Sequence, residues 1–146
     1  MKIETTRFGD LEVNEEEIIE FVVGPYGFEE QKEYTLLADD DSPFFWLQSI
    51  SDPDLAFVVT EPWIFYEDYE FELGEELKNK LDLENKENVS VINMVVIPDD
   101  TTKMTINLKS PVIINQEEKI AKQIILEDED YPTKYRIFED KEDVSA

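Results

Sequence analysis

Residues 44–60 read FFWLQSISDPDLAFVVT, two apolar runs separated by the turn-forming residues Ser51-Asp52-Pro53-Asp54. Runs rich in aromatic and β-branched residues on either side of such a cluster predict a β-hairpin. Gln48, Ser49 and Asp52 are predicted to fix the turn, because polar groups beside a buried hairpin need defined partners. The large apolar side chains predicted to fill the interior are Phe44, Trp46, Ile50, Phe57 and Val59.

Similar short apolar runs recur along the chain at a spacing of about ten residues, which is typical of an all-β sandwich or barrel. The predicted strands are Lys2–Phe8, Leu11–Val13, Ile18–Val23, Tyr34–Ala38, Phe44–Gln48, Leu55–Thr60, Tyr69–Leu73, Val89–Ile97, Met104–Lys109, Val112–Asn115, Ala121–Leu126 and Tyr135–Phe138. One short helix is predicted over Gly74–Leu83, because Leu77 and Leu81 stand at i, i+4. A single turn is predicted over Asn14–Glu20, where Asn14 and Glu17 have the spacing of a capping box.

The length of 146 residues fits one domain, predicted over residues 1–139, with residues 140–146 forming a frayed acidic tail. The chain has 13 Lys and Arg against 37 Asp and Glu, a net charge of −24. Such a field repels nucleic acid and anionic membranes and attracts cationic partners. No apolar run is long enough for a spanning helix, and the start of the chain lacks the apolar region of a signal peptide. A cytoplasmic protein is therefore expected.

The chain contains no His and no Cys, and only four glycines. A Ser-His-Asp triad, a Cys-His pair and a Cys/His zinc site are therefore excluded, as is a P-loop. Carboxylate chemistry is the enzymatic alternative that remains, as in a glycosidase. The acidic runs Asp39–Asp41 and Glu127–Asp130 lack the ligand spacing of a calcium loop and are interpreted as solvated loops. We predict a protein without catalysis, metal or cofactor.

Residues 33–77 contain 13 carboxylates and no Lys or Arg. Within them, residues 61–76, the acidic segment, combine seven carboxylates with five aromatic residues. One interpretation is a solvated strand face beside a core face. The other is a protein–protein interface, since aromatic anchors within a charged rim are typical of binding hot spots. The residues predicted to bind a partner are Trp63, Glu67, Asp68, Tyr69, Glu70 and Glu72.

Asn107 and Asn115 flank a bend at Pro111 and are predicted to cap backbone groups at its two ends. The loop Gly24-Pro25-Tyr26-Gly27 is predicted to form a turn, in which the proline fixes φ and the two glycines tolerate positive φ angles.

Several of these segments, in this order, resemble the FliW family of flagellar assembly factors from end to end. The residues that carry the resemblance are Arg7-Phe8-Gly9 with Leu11 and Val13, Phe21 through Gly24-Pro25-Tyr26-Gly27-Phe28, Phe45-Trp46-Leu47-Gln48-Ser49, Asp52-Pro53, Leu55-Ala56-Phe57, Asp68-Tyr69, residues 107–115, Gln123-Ile124-Ile125-Leu126 and Tyr131. Val22-Val23 departs modestly from the family, which often has a proline before the glycine-rich turn.

The resemblance implies a single small antiparallel β-barrel-like domain and a regulator that is not an enzyme. Proteins of this family bind the RNA-binding translational repressor CsrA and prevent it from silencing flagellin mRNA. They also bind cytoplasmic flagellin, which frees CsrA to repress. Met94, Ile97 and Met104 are possible contributors to an apolar groove for flagellin helices.

Two other classes of function stay open at this point. The chain could be a general acidic chaperone or nucleic-acid mimic for another basic protein, or a carboxylate-dependent hydrolase. A pull-down would separate the first from the FliW-type regulator, and a glycoside screen would address the second.

Overall fold

The computed structural model of the chain describes residues 1–38, 41–83, 88–127 and 130–138, which contain eleven strands and one α-helix. The strands are β1 (Lys2–Thr5), β2 (Gly9–Glu12), β3 (Ile19–Phe21), β4 (Glu33–Ala38), β5 (Phe44–Ser49), β6 (Ala56–Thr60), β7 (Val89–Val96), β8 (Thr105–Ile106), β9 (Val112–Asn115), β10 (Ile120–Gln123) and β11 (Tyr135–Arg136). The helix α1 spans Glu75–Lys80, and 3-10 turns span Glu15–Glu17, Pro62–Ile64 and Thr101–Lys103.

Seven strands close into a barrel in the order β7-β6-β5-β4-β3-β10-β9, and β9 returns to β7. The start of β7, residues 89–92, pairs with β9, while residues 93–95 pair with β6. β3 and β10 run parallel, and the other pairs of described strands are antiparallel. β8 and β11 extend the sheet beyond β7, and β1 with β2 forms a separate hairpin. The prediction of an all-β, barrel-like domain is confirmed.

The barrel interior is apolar, and each of its seven strands contributes to it. Phe57 and Val59 lie there as predicted, but the interior residues of β5 are Phe45 and Leu47, with Leu47 fully buried.

The prediction was wrong for two residues of β5. Phe44 stacks on Phe65 outside the barrel at 5.9 Å. Trp46 is half-buried, with the Arg7 guanidinium 4.2 Å from its ring and the Phe8 ring 5.8 Å away. Both faces of this hairpin are therefore covered, and Ile50 beyond β5 is half-buried.

The hairpin turn is held as predicted by its polar side chains. The Gln48 Nε2 atom lies 3.1–3.4 Å from the carbonyl oxygens of Ser49, Asp52, Pro53 and Leu55, which share its two N–H donors. The Ser49 hydroxyl accepts from the Asp52 N–H at 3.1 Å. The convergence of these carbonyls on one buried amide fixes the turn without a glycine.

Asn107 and Asn115 cap the two ends of the Pro111 bend, which confirms their predicted roles. Asn107 Oδ1 accepts from the N–H groups of Lys109 and Ser110, both at 3.1 Å. Asn115 Oδ1 accepts from two N–H groups at 3.0 and 3.1 Å, and its Nδ2 donates to the Leu81 carbonyl at 2.8 Å. Asn115 thereby ties the end of α1 to the barrel.

The helix is confirmed in a shorter form, and Leu77 and Leu81 pack with Val91 and Ile113 of the barrel. The predicted single turn is the 3-10 turn at Glu15–Glu17, where Asn14 Nδ2 donates to the Glu17 carboxylate instead of capping the backbone.

The predicted strand Tyr69–Leu73 is wrong, because this segment has no strand partner among the described residues. Residues 39–40, 128–129 and 139–146 lie outside the described ranges, and with them part of both acidic runs and all of the predicted tail. No helix in the described ranges is long and apolar enough to cross a membrane.

Two tyrosines are buried and differ in hydrogen bonding. Tyr69 packs in a second apolar cluster outside the barrel, and its hydroxyl donates to the Leu108 carbonyl at 2.5 Å and accepts from Asn93 Nδ2 at 3.2 Å. Tyr34 lies inside the barrel, and its hydroxyl has no partner among the described residues. Burial raises the pKa of both tyrosines to about 12.

The two glycines of the glycine-rich loop are required for different reasons. Gly27 has φ +89°, as expected for a left-handed position. Gly24 does not have a positive φ, but a Cβ on it would lie 2.2 Å from the Phe28 carbonyl oxygen and 2.4 Å from the Gln31 carbonyl oxygen. A side chain therefore does not fit at position 24, and glycine is required there.

We expect Gly24→Ala to lower the free energy of unfolding by about 3 kcal/mol, because the new methyl group meets backbone that cannot rotate away. Gly74→Ala is the control, since a Cβ at Gly74 has no neighbour within 4 Å; its effect should stay below about 1 kcal/mol. Urea unfolding followed by tryptophan fluorescence measures both. Equal midpoints would contradict the close packing of this loop.

We expect Tyr69→Phe to destabilise the protein by about 1–3 kcal/mol, because the Leu108 carbonyl loses its donor in a buried position. Tyr34→Phe removes a hydroxyl without a described partner and should be neutral or stabilising. The same unfolding measurement compares them, and a larger loss for Tyr34→Phe would contradict the assigned bonding. Spectrophotometric titration at alkaline pH should show one high-pKa tyrosine fewer in each variant.

Candidate functional site

The acidic segment lies on the outside of the barrel and is held by side chains instead of a strand ladder. It begins with the 3-10 turn that carries Trp63, whose indole N–H donates to the Tyr69 carbonyl at 2.6 Å. The Tyr131 hydroxyl donates to the Glu70 carbonyl and accepts from the Glu70 N–H, both at 3.0 Å. The side chains of Trp63 and Tyr131 therefore supply main-chain hydrogen bonds that a neighbouring strand would otherwise supply.

Contacts between aromatic rings hold the acidic segment against the rest of the protein. The Tyr69 ring lies 4.7 Å from Tyr131 and 5.4 Å from Phe71, measured between centroids. Tyr66 contacts both Tyr131 and Tyr135 at 5.9 and 5.2 Å. The packing joins the segment to β11 and to the residues before it.

Tyr69 is 2% exposed, so the prediction that it is a surface anchor is wrong. Its hydroxyl points inward to Leu108 and Asn93, and it positions the segment without being available to a partner. Trp63 is 42% exposed and remains the aromatic side chain of the predicted set that a partner can reach.

Glu67, Asp68, Glu70 and Glu72 are all exposed. Among the described residues, the ion pairs of acidic side chains involve Glu12, Glu75 and Glu76, and none of these four. Four uncompensated carboxylates within six residues create a local negative potential that draws in cations. Five of the six residues predicted to bind a partner are therefore exposed within one stretch of ten residues, and three of them, Trp63, Glu70 and Glu72, line one groove.

A groove of about 920 Å³ runs between the acidic segment and the start of β7. Its floor is formed by half-buried Phe71, Leu73 and Val89 with buried Val91, and Trp63 stands at its edge. Sequence reasoning missed Val89 and Val91 as parts of this site, because only the fold brings β7 beside the segment.

A second acidic surface was also missed, since its residues come from distant parts of the chain. It is a depression lined by Glu15, Glu16, Glu17, Glu20, Glu33, Glu117 and Glu118 together with Lys119. Its lining also includes Met1, Ile18 and Ile120, but no aromatic side chain among the described residues. Charge alone does not separate the two acidic surfaces, but the aromatic residues Trp63 and Phe71 belong to the first.

The three residues proposed for an apolar groove are not on one face. Met94 packs against the core inside the barrel, whereas Ile97, just after β7, is 41% exposed. Met104 is half-buried and its carbonyl accepts from the Ile137 N–H at 3.1 Å. Val96 is 62% exposed, which makes the end of β7 an apolar surface that the sequence pattern did not indicate.

In the described part of the chain, no three acidic side chains converge as a metal site would require.

Comparison with known proteins gives one consistent result. A family model described as FliW protein matches residues 2–137 of the chain. The flagellar assembly factor FliW of Caldicellulosiruptor saccharolyticus is 47% identical over 132 residues, which are 90% of this chain and 87% of that protein. The flagellar assembly factor FliW of Caldanaerobacter subterraneus is 45% identical over 142 residues, which are 96% of this chain and 95% of that protein.

A solved structure agrees with the sequence comparisons. The crystal structure of a flagellar assembly factor FliW superposes with a TM-score of 0.90 at 35% sequence identity, covering 97% of this chain and 99% of that chain. The match at the level of family model, sequence and fold is therefore end to end, and the chain belongs to the FliW family of flagellar assembly factors.

Proposed function

We propose that this flagellar assembly factor is a cytoplasmic, non-enzymatic regulator that binds the translational repressor CsrA through the acidic segment. The observation that carries the proposal is the cluster of four exposed carboxylates, none of them in an ion pair with another described residue, in the same segment as exposed Trp63. A protein that binds RNA phosphates presents basic side chains, and these are complementary to such a surface.

The charge of the whole chain adds a second effect. Once this protein of net charge −24 is bound, it places a negative field next to the basic RNA site of CsrA. RNA phosphates are repelled by that field over distances up to the screening length of the solution. Inhibition therefore does not require the RNA site itself to be occupied.

Flagellin is proposed as the second partner, which binds while it is in the cytoplasm and so releases CsrA. The exposed apolar pair Val96 and Ile97 at the end of β7 supports this part of the proposal. Flagellin termini form helices with an apolar face, and such a face needs an apolar surface to pack on. Binding of flagellin should weaken binding of CsrA, and independent binding of both would remove partner exchange from the proposal.

We expect the triple substitution Glu67→Lys, Glu70→Lys, Glu72→Lys to weaken CsrA binding at least about tenfold and to flatten its salt dependence. The control is Glu15→Lys, Glu16→Lys, Glu17→Lys, which changes the net charge equally on the second acidic surface. Calorimetric titration of purified CsrA at two salt concentrations gives both quantities, and circular dichroism checks that each variant is folded.

Unchanged affinity and salt slope in the first variant would contradict the placement of the interface. A greater loss in the control would move the interface to the second acidic surface. If the unmodified chain captured another basic protein from a lysate and did not bind CsrA, the more general acidic chaperone would replace the proposal.

For flagellin, we expect Val96→Ser, Ile97→Ser to lower affinity about tenfold, because both side chains lose apolar contact area. The matched control is Val22→Ser, Val23→Ser, another adjacent pair of exposed valine side chains, 40% and 44% exposed. Fluorescence anisotropy with labelled flagellin measures the binding. Equal losses in the two variants would show that the end of β7 has no special part in it.

A further inference from the structure

The main-chain N–H and C=O groups of Phe71-Glu72-Leu73, beside the groove, are not used in hydrogen bonds within the described part of the chain. The residues on either side are held, since Tyr131 bonds both main-chain groups of Glu70 and the Gly74 carbonyl accepts from the Lys78 N–H at 3.0 Å. Residues 71–73 are thus a short open edge, meaning a main chain available for pairing, between neighbours that are held by hydrogen bonds.

Side chains along this edge alternate between the two sides. Glu70 and Glu72 are exposed, while Phe71 and Leu73 are half-buried and line the groove. Alternation with a period of two is that of an extended chain. The open main chain, the apolar floor and the carboxylates therefore belong to the same three or four residues.

We propose that this edge binds an extended segment of the partner in which basic and apolar residues alternate. The segment adds beside residues 71–73 as a strand would, with main-chain hydrogen bonds to the open N–H and C=O groups. Its apolar side chains enter the groove over Leu73 and Val89, and its Lys or Arg side chains lie next to Glu70 and Glu72. The identity of the partner as CsrA rests on the proposed function; the mode of binding does not.

The site is preformed, which lowers the cost of binding. Its floor residues Phe71, Leu73 and Val89 pack on buried Leu81, Val91 and Ile113, so the floor is backed by core. Tyr131 and Trp63 hold the backbone at Glu70 and Tyr69, next to the open edge. A partner segment therefore meets an ordered edge and loses little affinity to its reorganisation.

The first test uses the unmodified chain and two peptides of the same composition, acetyl-Lys-Val-Lys-Leu-Lys-amide and acetyl-Lys-Lys-Lys-Val-Leu-amide. We expect the alternating peptide to bind about tenfold more tightly, since only it can present charges and apolar groups on opposite sides. Amide hydrogen exchange of Phe71, Glu72 and Leu73 should slow in its presence. Equal affinities with no protection at these three residues would overturn the proposal.

The second test uses the partner protein. Leu73→Ser should weaken binding of CsrA several-fold, whereas Ile64→Ser should not, because Ile64 is 53% exposed in the same acidic segment but does not line the groove. If CsrA binds without slowing amide exchange at residues 71–73, and Leu73→Ser leaves its affinity unchanged, the proposed function is retained and strand addition at this edge is contradicted. If the alternating peptide slows amide exchange at residues 71–73 but CsrA does not bind, strand addition is retained and the proposed function is contradicted.

Discussion

The closure of the barrel along β7 is the constraint on which the other features depend. This strand pairs with β9 through its first half and with β6 and β8 through its second half. Val89 and Val91 at its start line the groove, Asn93 at its centre bonds the Tyr69 hydroxyl, and Val96 at its end is exposed. The groove beside the acidic segment and the exposed apolar end of β7 are therefore both formed by one strand. The register of β7 decides whether Val89 and Val91 lie beneath the acidic segment.

The fold keeps the charges of the acidic segment away from ladder positions. Like charges directly opposite each other in a ladder are destabilising, as at Glu20 and Glu33 of β3 and β4. The four candidate carboxylates lie on a segment that has no strand partner among the described residues. Their backbone is held by Trp63 and Tyr131 instead, so the charges stay in water while the aromatic rings pack beneath them. An anionic surface and a packed core are thus combined within one short stretch.

The sequence predicted the strands well, because turn residues and β-branched runs act locally. Each of the eleven predicted strands outside the acidic segment overlaps an observed strand, but several are shorter than predicted. Met104–Lys109 shortens to Thr105–Ile106, and Tyr135–Phe138 shortens to Tyr135–Arg136. The errors arose where the outcome depends on distant residues. Phe44 and Trp46 were assigned to the wrong face because both faces of β5 are covered, which removes the alternation that marks one buried face.

The residue types of the candidate site could be predicted from the sequence, but the contacts that hold them in place could not. Alternating aromatic and acidic residues at 69–73 indicate a strand, yet Tyr131 supplies the hydrogen bonds from elsewhere in the chain. Tyrosine is typical of binding anchors, but Tyr69 is buried and its hydroxyl donates a hydrogen bond to the Leu108 carbonyl, which only the folded structure shows. The floor residues Val89 and Val91 carry no local signal for a site at all.

The clamp on Glu70 has a consequence for synthesis of the protein. Tyr131 lies 61 residues further along the chain, and β10 must pair with β3 across about 100 residues before the barrel closes. A nascent chain that has emerged only as far as the acidic segment carries the charges without the floor or the clamp. Any recognition that depends on the shape of this segment therefore begins only after Tyr131 and β10 have been synthesised and have packed.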